Sequence, residues 1–282
     1  MMVALLVIMM ALALNSVFLP NAKAGLEFYL KPDFRQLQER GIINVVIAAM
    51  NQAFFTLSIG IGSMAIFGSY IKKERSLLGE SVNVALLDTF VALASGLIII
   101  PACFSYGVDV TSGPKLLFVT LPNIFNNLPL GQLWGSLFFV FMSFAAFSTV
   151  FAVFENIISC TIDLFGISRK KACIYNCILM FILALPCALG FNLLKGITPF
   201  GPGTGILDLE DFIVSNICLP LGTVVFILFS STKYGFGWDK FLEEANTGKG
   251  LKLARWMRGY YAYVLPAVVL IIFVVGMISF FS

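Results

Sequence analysis

The sequence predicts an all-α polytopic membrane protein, a bundle of seven transmembrane helices with one of them broken mid-membrane. Three observations carry that reading. Hydrophobic residues make up 59% of the 282-residue chain and charged residues only 12%, with a mean hydropathy of +0.96. That leaves too little polar surface to coat a soluble globule of this length. The apolar residues gather into runs long enough to cross a bilayer, separated by shorter polar stretches. Finally, one such run, Asn51 to Tyr70, carries Gly60 and Gly62 in mid-span with Thr56 and Ser58 just before them. Glycine costs about 1 kcal/mol against alanine inside a helix, so this spacing predicts either an unwound turn at membrane depth or a surface for close helix packing. An unwound turn frees carbonyls that can coordinate a cation, provided protein or a polar cavity encloses them.

In chain order, Met2 to about Leu19 is long enough for a tilted span. Ala22-Lys23-Ala24 after it imitates a signal-peptidase site, which leaves cleavage open as an alternative. The polar segment from Pro20 to Ile42 contains Pro32-Asp33 followed by FRQLQER, a short surface helix leading into the broken one. The next apolar run, Val82 to Tyr106, holds Asp88 about two turns in and Pro101, expected to kink its far end. Residues 107 to 130 are too apolar and turn-rich for a free linker, and predict a hairpin of short helices folded back as a lid. Gly131 to Phe165 is longer than a bilayer requires, so it tilts or extends into water. Three further spans are expected over Ala172 to Phe191, containing Pro186, Phe212 to Ser231, and Tyr260 to Phe281. GFGWDKFLEEANTGKG, before the last span, reads as a short interfacial helix with a glycine cap.

Several function classes drop out on composition. There is no histidine, which excludes histidine proton relays, histidine metal sites and catalytic triads. Cys103, Cys160, Cys173, Cys177, Cys187 and Cys218 lie in apolar runs without a CxxC pair and read as small core hydrophobes. Cys173 and Cys177 share a helix face, but two thiols do not make a zinc site. A net charge of +3 spread among apolar spans gives no support to nucleic-acid binding.

Lys72, Lys73, Arg75, Arg169, Lys170, Lys171, Lys233, Lys240, Lys249, Lys252, Arg255 and Arg258 fall on one side of the bundle. They outnumber Lys23, Lys31, Arg35, Arg40, Lys115 and Lys195 on the other. The richer side is expected to be cytoplasmic, which places a multi-pass protein in the cell membrane with its N-terminus inside and its C-terminus outside. A carboxylate at the depth of Asp88 costs roughly 2.5 to 3.5 kcal/mol on insertion scales and marks an intramembrane site by default. Its partner is a bound cation, a proton or a residue of another polypeptide. Ser143, Ser148 and Thr149 share a helix with Ala145 and Glu155. Their hydroxyls are hard oxygen ligands suited to an alkali cation, or they bond to carbonyls of their own helix.

The ordered blocks NQAFFTLSIGIG, LLDTFVALASGLIIIP, GPKLLFVTLPNIF, FAAFSTVFAVFEN, DLFGISRKKA and DLEDF closely resemble the neurotransmitter:sodium symporter family, above all its bacterial amino-acid transporters. The resemblance extends over nearly the whole chain. It implies a LeuT-like inverted-repeat bundle in which these seven helices resemble helices five to eleven of the family. Residues 1–19 would then resemble the end of the first repeat, 43–231 the second, and 260–281 an extra C-terminal helix. The family transports rather than catalyses, so no enzyme is implied.

Carried over by position, Phe55, Thr56, Ser58, Ile61 and Val153 would bind substrate, with Phe55 as an aromatic lid. Ile61 stands where the best-known bacterial member has an aromatic side chain, which reshapes the pocket. Thr56 and Asp88 would contribute to a first sodium site, and Ala145, Ser148 and Thr149 to half of a second. Asp88 falls where the family usually has an asparagine. Its charge would replace that of chloride, so sodium without chloride dependence is expected. Asp211 resembles an outer-gate acid, and Ser69, Tyr70 and Asp163 resemble inner-gate groups.

Against that pattern the chain begins inside what resembles the fifth helix. Helices that complete the sodium sites and the pocket, and the arginines that would pair with Asp163 and Asp211, are not in it. Two readings follow. In one the chain is the C-terminal part of a sodium-coupled amino-acid symporter, truncated or split and completed by an upstream-encoded chain. In the other it is a transport-inactive stand-alone membrane protein, a remnant or a binding or regulatory partner.

Overall fold

A computed structural model describes residues 2–70, 73–107, 110, 121–126 and 130–281. Every regular element among them is helical: α1 (Met2–Val17), α2 (Ala22–Leu30), α3 (Phe34–Arg40), α4 (Ile42–Thr56), α5 (Ser63–Tyr70), α6 (Leu77–Tyr106), α7 (Leu121–Asn126), α8 (Gly131–Phe165), α9 (Arg169–Gly190), α10 (Ile206–Asp211), α11 (Leu219–Ser231), α12 (Trp238–Ala245) and α13 (Leu265–Phe281). Two π-helical turns, Phe212–Cys218 and Tyr260–Val264, join α10 to α11 and lead into α13.

Among the described residues, five helical stretches are long and apolar enough to cross a membrane: Leu77–Tyr106, Gly131–Phe165, Arg169–Gly190, Ile206–Ser231 and Arg255–Ile278. α1, at 16 residues, and α4, at 15, are apolar but shorter. The all-helical polytopic class is thus present, with five such spans among the described residues, or six if the bent pair α1 and α2 is one span, where seven were expected, and with boundaries adjusted. The first span ends at Val17 and turns by 114° into α2, a helix not foreseen, whose first turn includes Ala22-Lys23-Ala24. α6 begins at Leu77 rather than Val82 because Ser76 caps it, its Oγ accepting from Gly79 N at 3.4 Å. Asp88 therefore lies about three turns into the helix rather than two. The sixth span starts six residues before Phe212, at Ile206, where Asp208 Oδ2 accepts from Gly205 N at 2.6 Å and closes the first turn. The short helix expected before the last span forms as α12. Its C-terminal cap is Asn246, and the glycine at its other end, Gly237, has φ 89°. The lid expected over 107–130 falls largely outside the described residues, which include only α7 and a few flanking positions, and Lys72 and Lys115 lie outside them as well.

The chain forms two compact units, Met1–Gln36 with Leu86–Phe151, and Leu37–Ala85 with Ala152–Ser282. In the first, Leu5, Met9 and Leu12 of α1 meet Ala94 and Ile98 of α6, Leu121 of α7, and Phe138 and Phe141 of α8. Ser16, buried among these residues, donates to Ile98 O at 2.6 Å, so its hydroxyl is not stranded in an apolar phase. In the second, Phe54 of α4 packs with Leu219 and Val224 of α11 and Val269 of α13. A separate cluster of Trp238, Leu242, Ala245 and Leu253 seats the 232–259 loop on Leu77 and Leu78. Asn246 secures that loop by accepting from Leu253 N at 2.7 Å and donating to Leu253 O at 2.9 Å.

Between α4 and α5 the helix is interrupted over 57–62, with Ser58 at φ 52°, Gly60 at 89° and Gly62 at 91°. Only glycine adopts this left-handed region without strain. Gly60 also lies so close to α11 that a Cβ would overlap Leu219 O and approach Thr223 N to 2.9 Å. On the facing side, a Cβ at Gly222 would overlap Gly60 O. Unwinding and close packing, the two alternatives the sequence left open, occur at the same glycines. Gly222→Ala is expected to destabilise the detergent-solubilised protein by about 1 to 3 kcal/mol through overpacking. Gly68→Ala in α5, with nothing within 4 Å of its Cβ, should stabilise by up to about 1 kcal/mol. Thermal unfolding of the two variants beside wild type checks the contrast.

Candidate functional site

Phe55 and Thr56 end α4, and Ser58 and Ile61 lie in the interruption. Phe55 is 53% exposed and Ile61 37%, so neither is part of the core. Unwinding leaves the carbonyls of Leu57, Ser58, Ile59 and Gly60 without hydrogen-bond donors among the described residues. The amides at the start of the interruption are satisfied: Leu57 N bonds Ala53 O, Ser58 N bonds Phe55 O, and Ile59 N bonds Phe54 O at 2.9 Å. The stretch therefore offers a short run of free oxygens, the hard donors an alkali cation takes. Beside it, Ser63 at the start of α5 is 2% exposed, and its Oγ has no hydrogen-bond partner among the described residues. A buried polar group left unpaired costs about 1 to 3 kcal/mol. Such groups concentrate at ligand sites.

Two side-chain amides anchor this region from neighbouring helices. Asn51 Nδ2 donates to Asn216 Oδ1 at 2.8 Å, joining α4 to the π-helical turn before α11. That turn carries one residue more than an α-helical one, and such bulges are frequent at functional sites. Asn156 of α8 donates to Ile61 O at 3.2 Å. Val153 lies one turn before Asn156 on α8 and is half-buried. The structure thus gathers Phe55, Thr56, Ser58, Ile61 and Val153 within one compact unit.

Asp88, Ala145, Ser148 and Thr149 belong to the other unit. Asp88 is half-buried on α6, and its carboxylate has no hydrogen-bond or ion-pair partner among the described residues. Ser148 Oγ donates to Ala145 O at 2.7 Å and Thr149 Oγ1 to the same oxygen at 3.4 Å, while Ser143 Oγ donates to Phe139 O at 2.8 Å. Bonding to their own helix is therefore what these hydroxyls do here. Since each hydroxyl has one proton and two lone pairs, donating to Ala145 O leaves the lone pairs of Ser148 and Thr149 available to a cation. The Ala145 carbonyl itself is already engaged by both.

Among the residues expected at the gates from family resemblance, Ser69 Oγ donates to Ile66 O at 2.7 Å, and Asp211 Oδ1 accepts from Ser215 Oγ at 2.9 Å. Asp163 is exposed near the end of α8. Tyr70 has a partner that sequence reasoning missed: its hydroxyl donates to Glu155 Oε1 at 2.8 Å. Arg169 Nη1 and Nη2 donate to Glu155 Oε1 and Oε2 at 3.0 and 2.5 Å. A bidentate guanidinium–carboxylate fork is the geometry that fixes both groups. Its signal in the sequence was Glu155 near the end of an apolar run with a basic cluster, Arg169-Lys170-Lys171, about four turns later. Asn156 and Asn216 gave no comparable signal, because a single amide in an apolar helix does not reveal its partner.

The profile of the "Sodium:neurotransmitter symporter family" matches residues 1–282. An uncharacterised sodium-dependent transporter, YhdH of Bacillus subtilis, is 32% identical over 99% of this chain and 61% of its own length. A second, MJ1319 of Methanocaldococcus jannaschii, is 33% identical over 94% of this chain and 52% of its own. Human sodium- and chloride-dependent creatine transporter 1 is 25% identical over 97% of this chain and 43% of its own. Among solved structures, MhsT in complex with L-phenylalanine superposes with a TM-score of 0.82 at 36% identity, covering 96% of this chain and 60% of MhsT. The chain thus spans about half to three-fifths of the length of these prokaryotic relatives. With an interrupted apolar helix, a polytopic helical fold and a family match over the whole of this chain in agreement, this chain belongs to the sodium:neurotransmitter symporter family.

Proposed function

We propose that the chain is the C-terminal part of a sodium-coupled amino-acid symporter that works by alternating access, truncated or split and completed by an upstream-encoded polypeptide. The observation that carries this reading is the interruption at 57–62, where free carbonyls lie beside an unpartnered buried hydroxyl in an otherwise apolar helix. Bare backbone oxygens in a membrane-spanning helix are costly unless a ligand uses them. The solved relative holding L-phenylalanine supports an amino acid as substrate. Under this reading Phe55, Thr56, Ser58, Ile61 and Val153 contact substrate. Thr56 and Asp88 serve one sodium ion, while Ala145, Ser148 and Thr149 serve a second. Ser69, Tyr70 and Asp163 belong to the inner gate and Asp211 to the outer one. Residues 43–231 form one inverted repeat, 1–19 end the other, and 260–281 add a peripheral helix. The side rich in Lys and Arg faces the cytoplasm, with the N-terminus inside and the C-terminus outside.

Asp88 supplies a fixed negative charge beside the cation, so transport needs sodium and not chloride. The half-buried carboxylate on α6, unpaired among the described residues, supports that assignment, because an ionisable group within an apolar span marks an ion site by default.

The proposal is tested by uptake of radiolabelled amino acids into proteoliposomes under a sodium gradient, using this chain alone and then with the polypeptide encoded upstream. Sodium-driven uptake that requires the second polypeptide is expected. Absence of uptake in both, from properly inserted protein, would leave the stand-alone reading. In the assembled transporter Asp88→Asn should abolish uptake or create a chloride requirement, and unchanged chloride-independent uptake would refute its role. Glu155→Gln and Arg169→Ala should each lower uptake several-fold at equal surface abundance. The double variant should be no worse than either alone, since both remove one ion pair.

A further inference from the structure

We propose that Asn156 is the positioning residue of the unwound stretch: its amide fixes the Ile61 carbonyl and thereby the wall that Ser58 and Ile61 present to a ligand. The inference rests on the symport reading for the ligand, but not for the geometry. Asn156 is 7% exposed and sits on α8, a helix whose other inward residues are mostly apolar. A buried amide in such a place is unfavourable unless it is hydrogen-bonded. Its Nδ2 finds Ile61 O at 3.2 Å, whereas among the described residues its Oδ1 meets the thiol of Cys160 at 3.9 Å, a weak donor. Helix packing alone does not call for asparagine here, since an apolar side chain would fill the space without a polar group to satisfy.

The interruption, in turn, has few other restraints. Among the described residues, Ile61 O is the one carbonyl between Leu57 and Ile61 that accepts a hydrogen bond, and its donor is Asn156. Gly62 follows at φ 91°, and a Cβ there would stand 3.7 Å from Asn156 Oδ1 and 3.2 Å from the Phe226 ring. The chain therefore turns from the interruption into α5 directly against this side chain. The residue before it, Glu155, receives the hydroxyl of Tyr70 from the far end of α5. Adjacent residues of α8 thus hold α5 at both ends, Asn156 through the backbone just before it and Glu155 through its last side chain. Asn156 leaves the carbonyls of 57–60 free while fixing the one that follows them. That division positions a ligand-facing stretch without consuming its ligating oxygens.

The test compares wild type, Asn156→Leu and Asn156→Gln by hydrogen–deuterium exchange with mass spectrometry in detergent, and by uptake kinetics in the assembled transporter. Asn156→Leu should speed exchange of the amides in 57–62 by about fivefold, the effect of losing one hydrogen bond. Peptides covering 238–253 should be unchanged, and Asn156→Gln should restore slow exchange. In uptake, the KM for the amino acid should rise in the Leu variant by several-fold more than the half-saturating sodium concentration. Wild-type exchange at 57–62 in Asn156→Leu would overturn the proposal, and so would an equal rise across all peptides, which marks general loosening. Failure of wild type to transport would defeat the symport reading, and the exchange comparison would still decide the role of Asn156.

Discussion

In a bilayer every backbone N–H and C=O must find its partner inside the protein, and the interruption over 57–62 is tolerable only because of what encloses it. Gly60 and Gly222 lack the side chains that would keep α11 away, so their backbones meet. Ile59 N reaches back to Phe54 O, which closes the end of α4. Asn156 supplies an amide to Ile61 O, and Ala65 N and Ile66 N take up Gly62 O as α5 begins. The remaining carbonyls, those of Leu57 to Gly60, are without donors among the described residues. The same arrangement that lets the helix break therefore leaves oxygens in a protein-lined place where a dehydrated cation or an ammonium group can use them.

The part of α8 in the second unit ties together the elements around the interruption. It carries Val153, then Glu155 and Asn156. At about 1.5 Å per residue, those positions follow one another within about one turn. A helix is stiff over that distance, so displacing it moves everything it holds, including both ends of α5. The Glu155 carboxylate is shared between Tyr70 of α5 and Arg169 of α9, which links the two helices through a single side chain.

Most of the architecture was legible in the sequence because it follows from hydropathy alone. Apolar runs gave the spans, Gly131–Phe165 matching to the residue. Gly60 and Gly62 gave the interruption because only glycine fits a left-handed turn in an apolar run. Helix starts were less legible. Leu77 and Ile206 begin their helices earlier than hydropathy indicates, since Ser76 and Asp208 satisfy the first amides with polar side chains that a hydropathy reading counts against the span. α2 was missed for a related reason: its sequence AKAGLEFYL is mixed in polarity, and what holds it is contact with α6, where Gly25 lets Pro101 approach to 2.8 Å of a would-be Cβ. The site residues came from family resemblance, and the structure gathers those on α4, the interruption and Val153 in one unit. The polar pairs Asn51–Asn216 and Asn156–Ile61 span sequence separations that no local pattern encodes.

Under the proposed function, the free oxygens at 57–60 serve sodium and an amino acid together. Thermal unfolding of the assembled protein in detergent, in sodium or potassium chloride and with or without an L-amino acid, measures this most directly, because a ligand that binds only the folded state raises the midpoint by mass action. The account predicts a higher midpoint in sodium than in potassium, and a further rise with amino acid only when sodium is present. Identical midpoints in the two salts, or an amino-acid effect indifferent to sodium, would contradict it.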